Sequence, residues 1–319
     1  MKKPILITGA TGFIGSNLTR YLVKKGIRVN IIIKKSSNVW RLKDIFENLN
    51  VYYADISEKK KIQTIIKKIK PKTIFHLAAH GAYSSQSNMD RIKSTILDGT
   101  INLLNECSKY RFNAFINTGS SSEYGFKDKK MKENDLLVPN SYYSLFKSSA
   151  TMFCQYMSLK KNLPITTIRP FHVYGPYEEP TRLIPTLLKR LIENKKIKLV
   201  SPDISRDLIY IDDVINFYVL IAKKNKLRGE IFNLGYGKKI TIKQIYDYLK
   251  KITNYKISNK WGTMKNRNWD QKVWFSDMSH VKNKLGWSPK NNYKDGLYKT
   301  ILWYEKNDKN NFFTNSYSK

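Results

Sequence analysis

Thr8-Gly9-Ala10-Thr11-Gly12-Phe13-Ile14-Gly15 follows the apolar run Ile5-Leu6-Ile7 directly and leads straight into a helical pattern. A parallel strand ending in such a glycine-rich turn aims the N-terminus of the next helix at whatever lies above the sheet. Its free N–H groups and its dipole there suit a diphosphate. Scattered glycines at this spacing also occur in ordinary strand-to-helix turns. In this chain strand, turn and helix all fall where a dinucleotide-binding motif requires them. Gly9, Thr11, Gly12, Phe13, Ile14 and Gly15 are therefore the first cofactor candidates.

Outward from this turn, short β-branched runs alternate with helical patterns, the signature of a doubly wound α/β protein. Strands are expected at 5–8, 29–33, 51–54, 73–77, 114–118 and 165–169, with helices near 14–25, 59–68, 90–110 and 142–161. Right-handed crossovers would bring the C-terminal ends of these strands to one edge. Residues 231–234 are expected to return the chain to the sheet. Pro170, Gly175, Pro176 and Pro180 then break the alternation, and the segments after Gly235 read as short, lysine-rich and poorly periodic. The expected organisation is a parallel Rossmann sheet from 1–175 and 207–234. A smaller C-terminal substrate lobe would come from 176–206 and 235–319, with 307–319 as a loose tail.

A chain of 319 residues with 41% hydrophobic content can bury a full core and a second lobe. No apolar stretch approaches a membrane span. Met1-Lys2-Lys3-Pro4 leads into a strand rather than into a signal-peptide segment, so cytoplasmic residence is the default expectation. Cys107 and Cys154 lack a histidine at ligand spacing and read as reduced packing residues, with no metal site implied. The net charge of +33 raises a nucleic-acid reading, but the lysines are spread through almost every helix instead of forming one stripe. No specific nucleic-acid partner is expected; nonspecific retention on polyanions is what such a charge permits.

Tyr143-Ser144-Leu145-Phe146-Lys147 is the catalytic candidate. Four residues apart on a helix, Tyr143 and Lys147 share a face. A free tyrosine titrates near ~10 and transfers protons poorly at neutral pH unless a nearby cation favours the phenolate. Lys147 could supply that cation while reaching ribose hydroxyls. Taken alone, the pair equally describes a packed tyrosine beside a solvated lysine. Upstream, the strand at 114–118 runs into Gly119-Ser120-Ser121-Ser122-Glu123-Tyr124-Gly125, a hydroxyl-rich loop able to hydrogen-bond a carbonyl or alkoxide. Glycine turn, serine loop, Tyr143 and Lys147 are specific together where each is weak.

With these motifs the chain resembles the extended short-chain dehydrogenase/reductase family of nucleotide-sugar epimerases, dehydratases and reductases. The resemblance covers nearly the whole chain. It includes Asp55-Ile56, which in the family contacts the adenine, and His76-Leu77-Ala78-Ala79, which lines the cofactor. It continues through Arg169-Pro170-Phe171-His172-Val173-Tyr174-Gly175-Pro176, Arg206 to Val214, Phe232-Asn233-Leu234-Gly235 and Leu285-Gly286-Trp287-Ser288-Pro289. By this resemblance Ser120 is the hydroxyl partner, Tyr143 the acid or base and Lys147 its tuner. Asp55, Ile56, Leu77, Ala78, Ala79, Pro170 and His172 join the cofactor set. Arg206 would grip the phosphates of a nucleotide sugar, and His80, Ser121, Ser122, Arg182 and Arg267 are further substrate candidates. Two departures stand out: Ile96 replaces the usual Asn of a helix segment, and His172 replaces the Asn before Val-Tyr-Gly.

Family dehydratases resemble one another in carrying acids in the two positions after the catalytic Ser or Thr. Those positions are Ser121 and Ser122 here, which leaves epimerases and reductases. An NAD enzyme normally presents a carboxylate to the ribose 2′-hydroxyl at the end of the second strand. This chain has Lys34-Lys35-Ser36-Ser37 there, with Arg41 following, a set that favours a 2′-phosphate. NADP is the expected cofactor and NAD the alternative. The leading expectation is NADPH-dependent reduction of the C4 carbonyl of a 4-keto-6-deoxy nucleotide sugar. The alternative is an NAD-dependent 4-epimerase, and a non-catalytic dinucleotide sensor or partner-binding relative ranks below both. A homodimer through two long helices is expected from the family; Ile92, Ile96, Leu103, Leu104, Phe153 and Met157 fit either that interface or an internal core.

Overall fold

The computed structural model describes residues 1–83, 86–127, 129–224, 226–254, 256–257, 259–263 and 274–308. In chain order the first strands are β1 (Ile5–Thr8), β2 (Val29–Ile33), β3 (Leu49–Tyr53), β4 (Thr73–His76), β5 (Ala114–Thr118) and β6 (Ile165–Pro170). After them come β7 (His172–Tyr174), β8 (Ser205–Arg206), β9 (Leu208–Tyr210), β10 (Glu230–Leu234) and β11 (Ile240–Thr241). The helices of the first half are α1 (Phe13–Lys24), α2 (Lys59–Ile69), α3 (Met89–Lys93), α4 (Gly99–Cys107) and α5 (Tyr142–Lys161). Those of the second half are α6 (Leu183–Ile192), α7 (Ile211–Lys223), α8 (Ile242–Ile252), α9 (Ser279–Leu285) and α10 (Tyr293–Asp308).

The chain divides into two units, each discontinuous in sequence. The first holds Met1–Gly125, Leu136–Pro170 and Val214–Phe232; the second holds Phe126–Asp135, Phe171–Asp213 and Asn233–Lys319. Residues 171–175 group with 207–213 because β7 pairs in parallel with β9. Residues 126–135 join them through the Met131–Ser276 bridge and the bond from Asn233 N to Glu133 Oε1.

The first unit is built on a seven-stranded sheet of order β10-β6-β5-β4-β1-β2-β3. β1 pairs in parallel with β2 and β4, β2 with β3, β4 with β5, and β5 with β6. Every residue of β1, β2 and β5 is buried, as parallel strands covered on both faces require. The strand order reverses between β1 and β4, the switch point at which ligands of doubly wound sheets bind. Because the strands run the same way, the glycine turn, Lys34, Asp55, Leu77 and Gly119 all leave the sheet at one edge.

α2 lays Ile62, Ile65, Ile66 and Ile69 against Leu103, Leu104 and Cys107 of α4, with Cys154 and Met157 of α5 in the same cluster. Ile92 and Ile96 form a second cluster with Ala150. The apolar residues that could have served either an interface or a core are thus internal: Ile92, Ile96, Leu103, Leu104 and Met157 are buried, and Phe153 packs partly against them. What α5 leaves exposed is a different stripe, Leu145, Met152, Tyr156 and Leu159. Both cysteines are free and buried, and burial pushes both thiols up, away from thiolate chemistry.

Two local readings need correction. The single helix expected at 90–110 runs as α3, a π-helical turn over Ser94–Asp98, and α4. The backbone closes in on Ile56 here: a Cβ on Gly99 would lie 2.5 Å from the Ile56 side chain. The region after Gly235 is less irregular than it reads. Ile242, Ile245, Tyr246 and Leu249 form the buried face of α8, which Thr241 and Gln244 cap reciprocally. α10 reaches Asp308, so 307 and 308 end a helix, and 309–319 lie outside the described residues.

Candidate active site

The turn after β1 is held by backbone contact that only glycine allows. Gly9 has φ +71°, and a Cβ on it would sit 2.5 Å from the Leu77 carbonyl carbon. A Cβ on Gly15 would run into the Gly9 carbonyl, so α1 starts in contact with the turn. Gly12 N donates to Gly9 O at 3.1 Å, and Gly12 is the exposed N-cap of α1. The result is a helix N-terminus at the switch point with its first amides turned outward, a cradle that fits a dinucleotide diphosphate.

His76 ties this turn to the neighbouring strand. Ala78 N donates to Thr8 Oγ1, and Thr8 Oγ1 lies 2.7 Å from His76 Nδ1. On the other side His76 Nε2 lies 2.9 Å from Thr100 Oγ1, which donates to Ile96 O at 2.5 Å. Since the Thr100 proton goes to Ile96, Nε2 is the imidazole donor and Nδ1 accepts from Thr8. Burial first, and the Lys147 charge second, push His76 down to about 3, which keeps it neutral. Its role is that of an anchor beneath Leu77 and Ala78.

The remaining cofactor candidates in the first unit lie as follows. Lys34 and Ser37 close a small turn, with Lys34 N donating to Ser37 Oγ and Ser37 N to Lys34 O; Lys35 and Ser36 are exposed. Arg41 is buried, stacks on Trp40 at 4.3 Å and donates to Thr11 O at 3.3 Å, against the glycine turn. Asp44, the first acid after β2, is paired with Arg20. Asp55 is half-buried. Burial opposes its charge, yet the Ser57 amide and hydroxyl, Lys34 and Arg91 hold the carboxyl below its usual range. Ile56 is buried, Ala79 exposed and Pro170 buried at the end of β6. His80 is half-buried, and burial with the Arg91 and Lys34 charges lowers its imidazole below the usual range.

The catalytic candidates gather around the end of β5. Lys147 is buried, and its Nζ donates to Thr118 O at 2.7 Å. Thr118 Oγ1 in turn accepts from Tyr218 OH at 3.0 Å. α5 is thereby pinned to the strand whose next residues are Gly119 and Ser120. Tyr143, half-buried, stands one turn before Lys147 on the helix that Ser141 caps. Ser120 Oγ accepts from Ser122 N at 3.1 Å, which leaves the hydroxyl proton for another acceptor. Ser121 is buried and Ser122 half-buried. Burial pushes Lys147 down to about 8 against the opposing pull of Glu123 and Cys154.

Glu123 of the serine loop is the hub of this corner. Its Oε1 accepts from Ser120 N at 2.8 Å and from Thr151 Oγ1 at 3.1 Å, and its Oε2 accepts from Arg169 Nε at 2.8 Å. Arg169 Nη1 also donates to Tyr124 OH at 3.1 Å. The signal available in the sequence was Arg169 itself, a guanidinium near the end of the β-branched strand Ile165-Thr166-Thr167-Ile168 and therefore in need of an acid if that strand is buried.

In the second unit, His172 on β7 donates its backbone N–H to Asp207 O, and burial with the Arg206 and Arg182 charges pushes its imidazole down to about 3. Arg182 caps α6, and Arg206 Nη1 donates to Ser205 O. Asp207 fixes this strand: buried, it accepts from Tyr236 N, Gly237 N, Ser276 N and Ser276 Oγ. Arg267 lies outside the described residues. Among the described residues, no group of three or more His, Cys, Asp or Glu is arranged to hold a metal ion.

Switch-point cradle and Ser, Tyr and Lys candidates together define an enzyme of the Rossmann class built around a nicotinamide dinucleotide. The chain belongs to the NAD-dependent epimerase/dehydratase family, whose model matches residues 5–235. A UDP-glucuronate 4-epimerase of Thermodesulfobacterium geofontis is 31% identical over 315 residues, 95% of this chain and 96% of the relative. The UDP-glucose 4-epimerase of Thermotoga maritima, solved with UDP-glucose, superposes with a TM-score of 0.86 at 27% identity, covering 95% of this chain and 98% of that one. The UDP-glucuronic acid 4-epimerase of Bacillus cereus, solved with UDP-glucuronic acid and NAD, gives a TM-score of 0.83 at 27% identity, covering 95% and 99%. Among the described residues no helix is long and apolar enough to cross a membrane.

Proposed function

We propose that the protein is a nucleotide-sugar 4-epimerase that works through Ser120, Tyr143 and Lys147. The observation that carries this reading is the bond from Lys147 Nζ to Thr118 O, 2.7 Å long, which holds α5 against the strand leading to Ser120. A bound nicotinamide dinucleotide would supply hydride exchange at the sugar carbon. The glycine turn and α1 would hold its diphosphate, and Asp55, Leu77 and Ala78 would flank its adenosine and nicotinamide ends. Tyr143 takes the proton of the C4 hydroxyl and returns it after the sugar has turned its other face. Ser120 donates a hydrogen bond to the same oxygen, and Lys147 holds positive charge on the Tyr143 face of α5. In the second unit Arg206 and Arg182 are assigned to the nucleotide diphosphate, and His172 stays with the cofactor set.

Two further observations support epimerisation. Relatives similar over nearly the whole chain include 4-epimerases, one of them 31% identical, beside dTDP-D-glucose 4,6-dehydratases at 26–27% identity. Glu123, the one acid in the serine loop, is fully engaged by Ser120, Thr151 and Arg169 and has no freedom to assist elimination of water. A second reading, NADPH-dependent reduction at C4, is favoured by the cations after β2: Lys34, Lys35 and Arg41, the last seated against the glycine turn. Purified protein would be incubated with UDP-glucuronic acid, UDP-glucose, other nucleotide hexoses and 4-keto-6-deoxy nucleotide sugars, with NAD and NADPH in parallel. An isomer of unchanged mass without net nicotinamide consumption is the expected result. NADPH consumption with a two-hydrogen mass gain would replace the epimerase by the reductase, and no turnover at all would overturn both.

The exposed stripe Leu145, Met152 and Leu159 recurs every seven residues along α5, the repeat with which one helix meets a second copy of itself. Homodimerisation through α5 belongs to the same reading.

A further inference from the structure

We propose that Glu123 is the positioning residue of the active site: clamped by Arg169, its carboxylate fixes the backbone of Ser120 to α5 and supplies the negative charge that faces Lys147. This rests on the catalytic assignment of Ser120 and Lys147 made above.

Three separate elements converge on this one carboxylate. Ser120 N reaches it from the end of β5, Thr151 Oγ1 from α5 one turn beyond Lys147, and Arg169 Nε from β6. The side chains of Glu123 and Arg169 are 0% and 2% exposed. The surroundings are shaped to the pair. A Cβ on Gly119 would collide with Glu123 Oε1 and would lie 3.2 Å from Arg169 Cγ, and the Arg169 guanidinium stacks on Tyr124 at 4.9 Å. A buried ion pair is a poor device for stability alone, because well-packed apolar residues of similar volume hold a fold as well or better. What apolar residues cannot do is accept the Ser120 amide or place charge beside an ammonium.

That charge has a target. The groups facing Lys147 are Glu123 from the serine loop, the Cys154 thiol from α5 and the His76 imidazole from β4. Burial holds the thiol in its neutral form and the imidazole uncharged, so Glu123 is the anion of this set. It opposes the burial that drives Lys147 toward its neutral form, and so keeps the ammonium through the neutral pH range.

The test compares wild type, Glu123→Gln, and the double variant Glu123→Leu with Arg169→Met, which removes both charges and guards against unfolding from an orphaned guanidinium. Lys147 is titrated by NMR of 13Cε-lysine-labelled protein, with Lys147→Met identifying the signal, and kcat and KM are measured alongside. Both variants should unfold cooperatively and bind dinucleotide, with the Lys147 midpoint displaced to lower pH and kcat reduced on the order of 100-fold at unchanged KM. A Lys147 midpoint identical to wild type in the folded double variant overturns the proposal, even if kcat falls, since Glu123 would then be structural only. The NMR arm needs no substrate, so failure of the functional reading, a wild type that converts no nucleotide sugar, is told apart from failure of this one, an unmoved Lys147 midpoint.

Discussion

Tyr143 and Lys147 share one face of α5 and carry separate expectations. Replacing Tyr143 by Phe removes the hydroxyl proposed to exchange a proton with the sugar oxygen while leaving the cradle at β1 intact. Turnover should fall by about 10²–10⁴-fold with dinucleotide binding preserved, as read by kcat and by a fluorescence titration. Full activity in Tyr143→Phe would remove tyrosine from the mechanism. Lys147, pushed to about 8 chiefly by burial, is charged below that pH and neutral above it. The kcat profile should accordingly decline on its basic side near pH 8. A flat profile from pH 7 to 10 would mean that the Lys147 charge plays no part in turnover.

At the scale of elements, α5 has two faces with different duties. One carries Lys147, Thr151 and Cys154 into the core, and the other exposes Leu145, Met152, Tyr156 and Leu159. Converting Met152 to Glu should leave secondary structure and dinucleotide binding unchanged while halving the mass seen by light scattering; an unaltered mass would exclude this face as the interface. Periodicity made much of this architecture legible. Continuous β-branched runs announced the buried parallel strands, and the glycine turn announced the switch point, because both depend on neighbours in sequence. Pairings across the fold were not legible: Glu123 and Arg169 meet only once β5 and β6 are side by side, and the His76 link between Thr8 and Thr100 needs β1, β4 and α4 assembled. The π turn before Gly99 was not legible either, nor was the close approach of Gly99 to the Ile56 side chain of another segment. Lysines spread along α8 masked it, although its isoleucine spacing was present in the sequence.

For the molecule as a whole, pH acts on stability through buried imidazole. His76 is 2% exposed and stays neutral down to about 3, whereas in the unfolded chain it titrates near 6.5. Its folded value lies below its unfolded value, so the contribution is complete above pH 6.5 and is lost as the pH falls toward 3. Within that window it should remove about 1.4 kcal/mol of stability per pH unit. Urea unfolding between pH 7 and 4 would show the slope, and His76→Gln should reduce it by that amount, leaving the share of His172, while lowering stability at pH 7 by roughly 1–3 kcal/mol. An equal slope in the variant would assign acid sensitivity elsewhere. The surplus is +33 at pH 7 and grows as carboxylates and histidines take up protons, so added salt should raise stability by screening the repulsion.

The position of β10 has a consequence for synthesis. It forms the margin of the sheet beside β6, yet it is encoded at Glu230–Leu234, whereas β6 ends at Pro170. A ribosome adding about 5–20 residues per second therefore leaves one flank of a nearly finished sheet bare for roughly 3–12 s. During that interval the row of unsatisfied amides and carbonyls on β6 can be capped by a strand from another nascent chain. The time spent translating residues 171–230 is thus the window in which such mispairing competes with the arrival of β10.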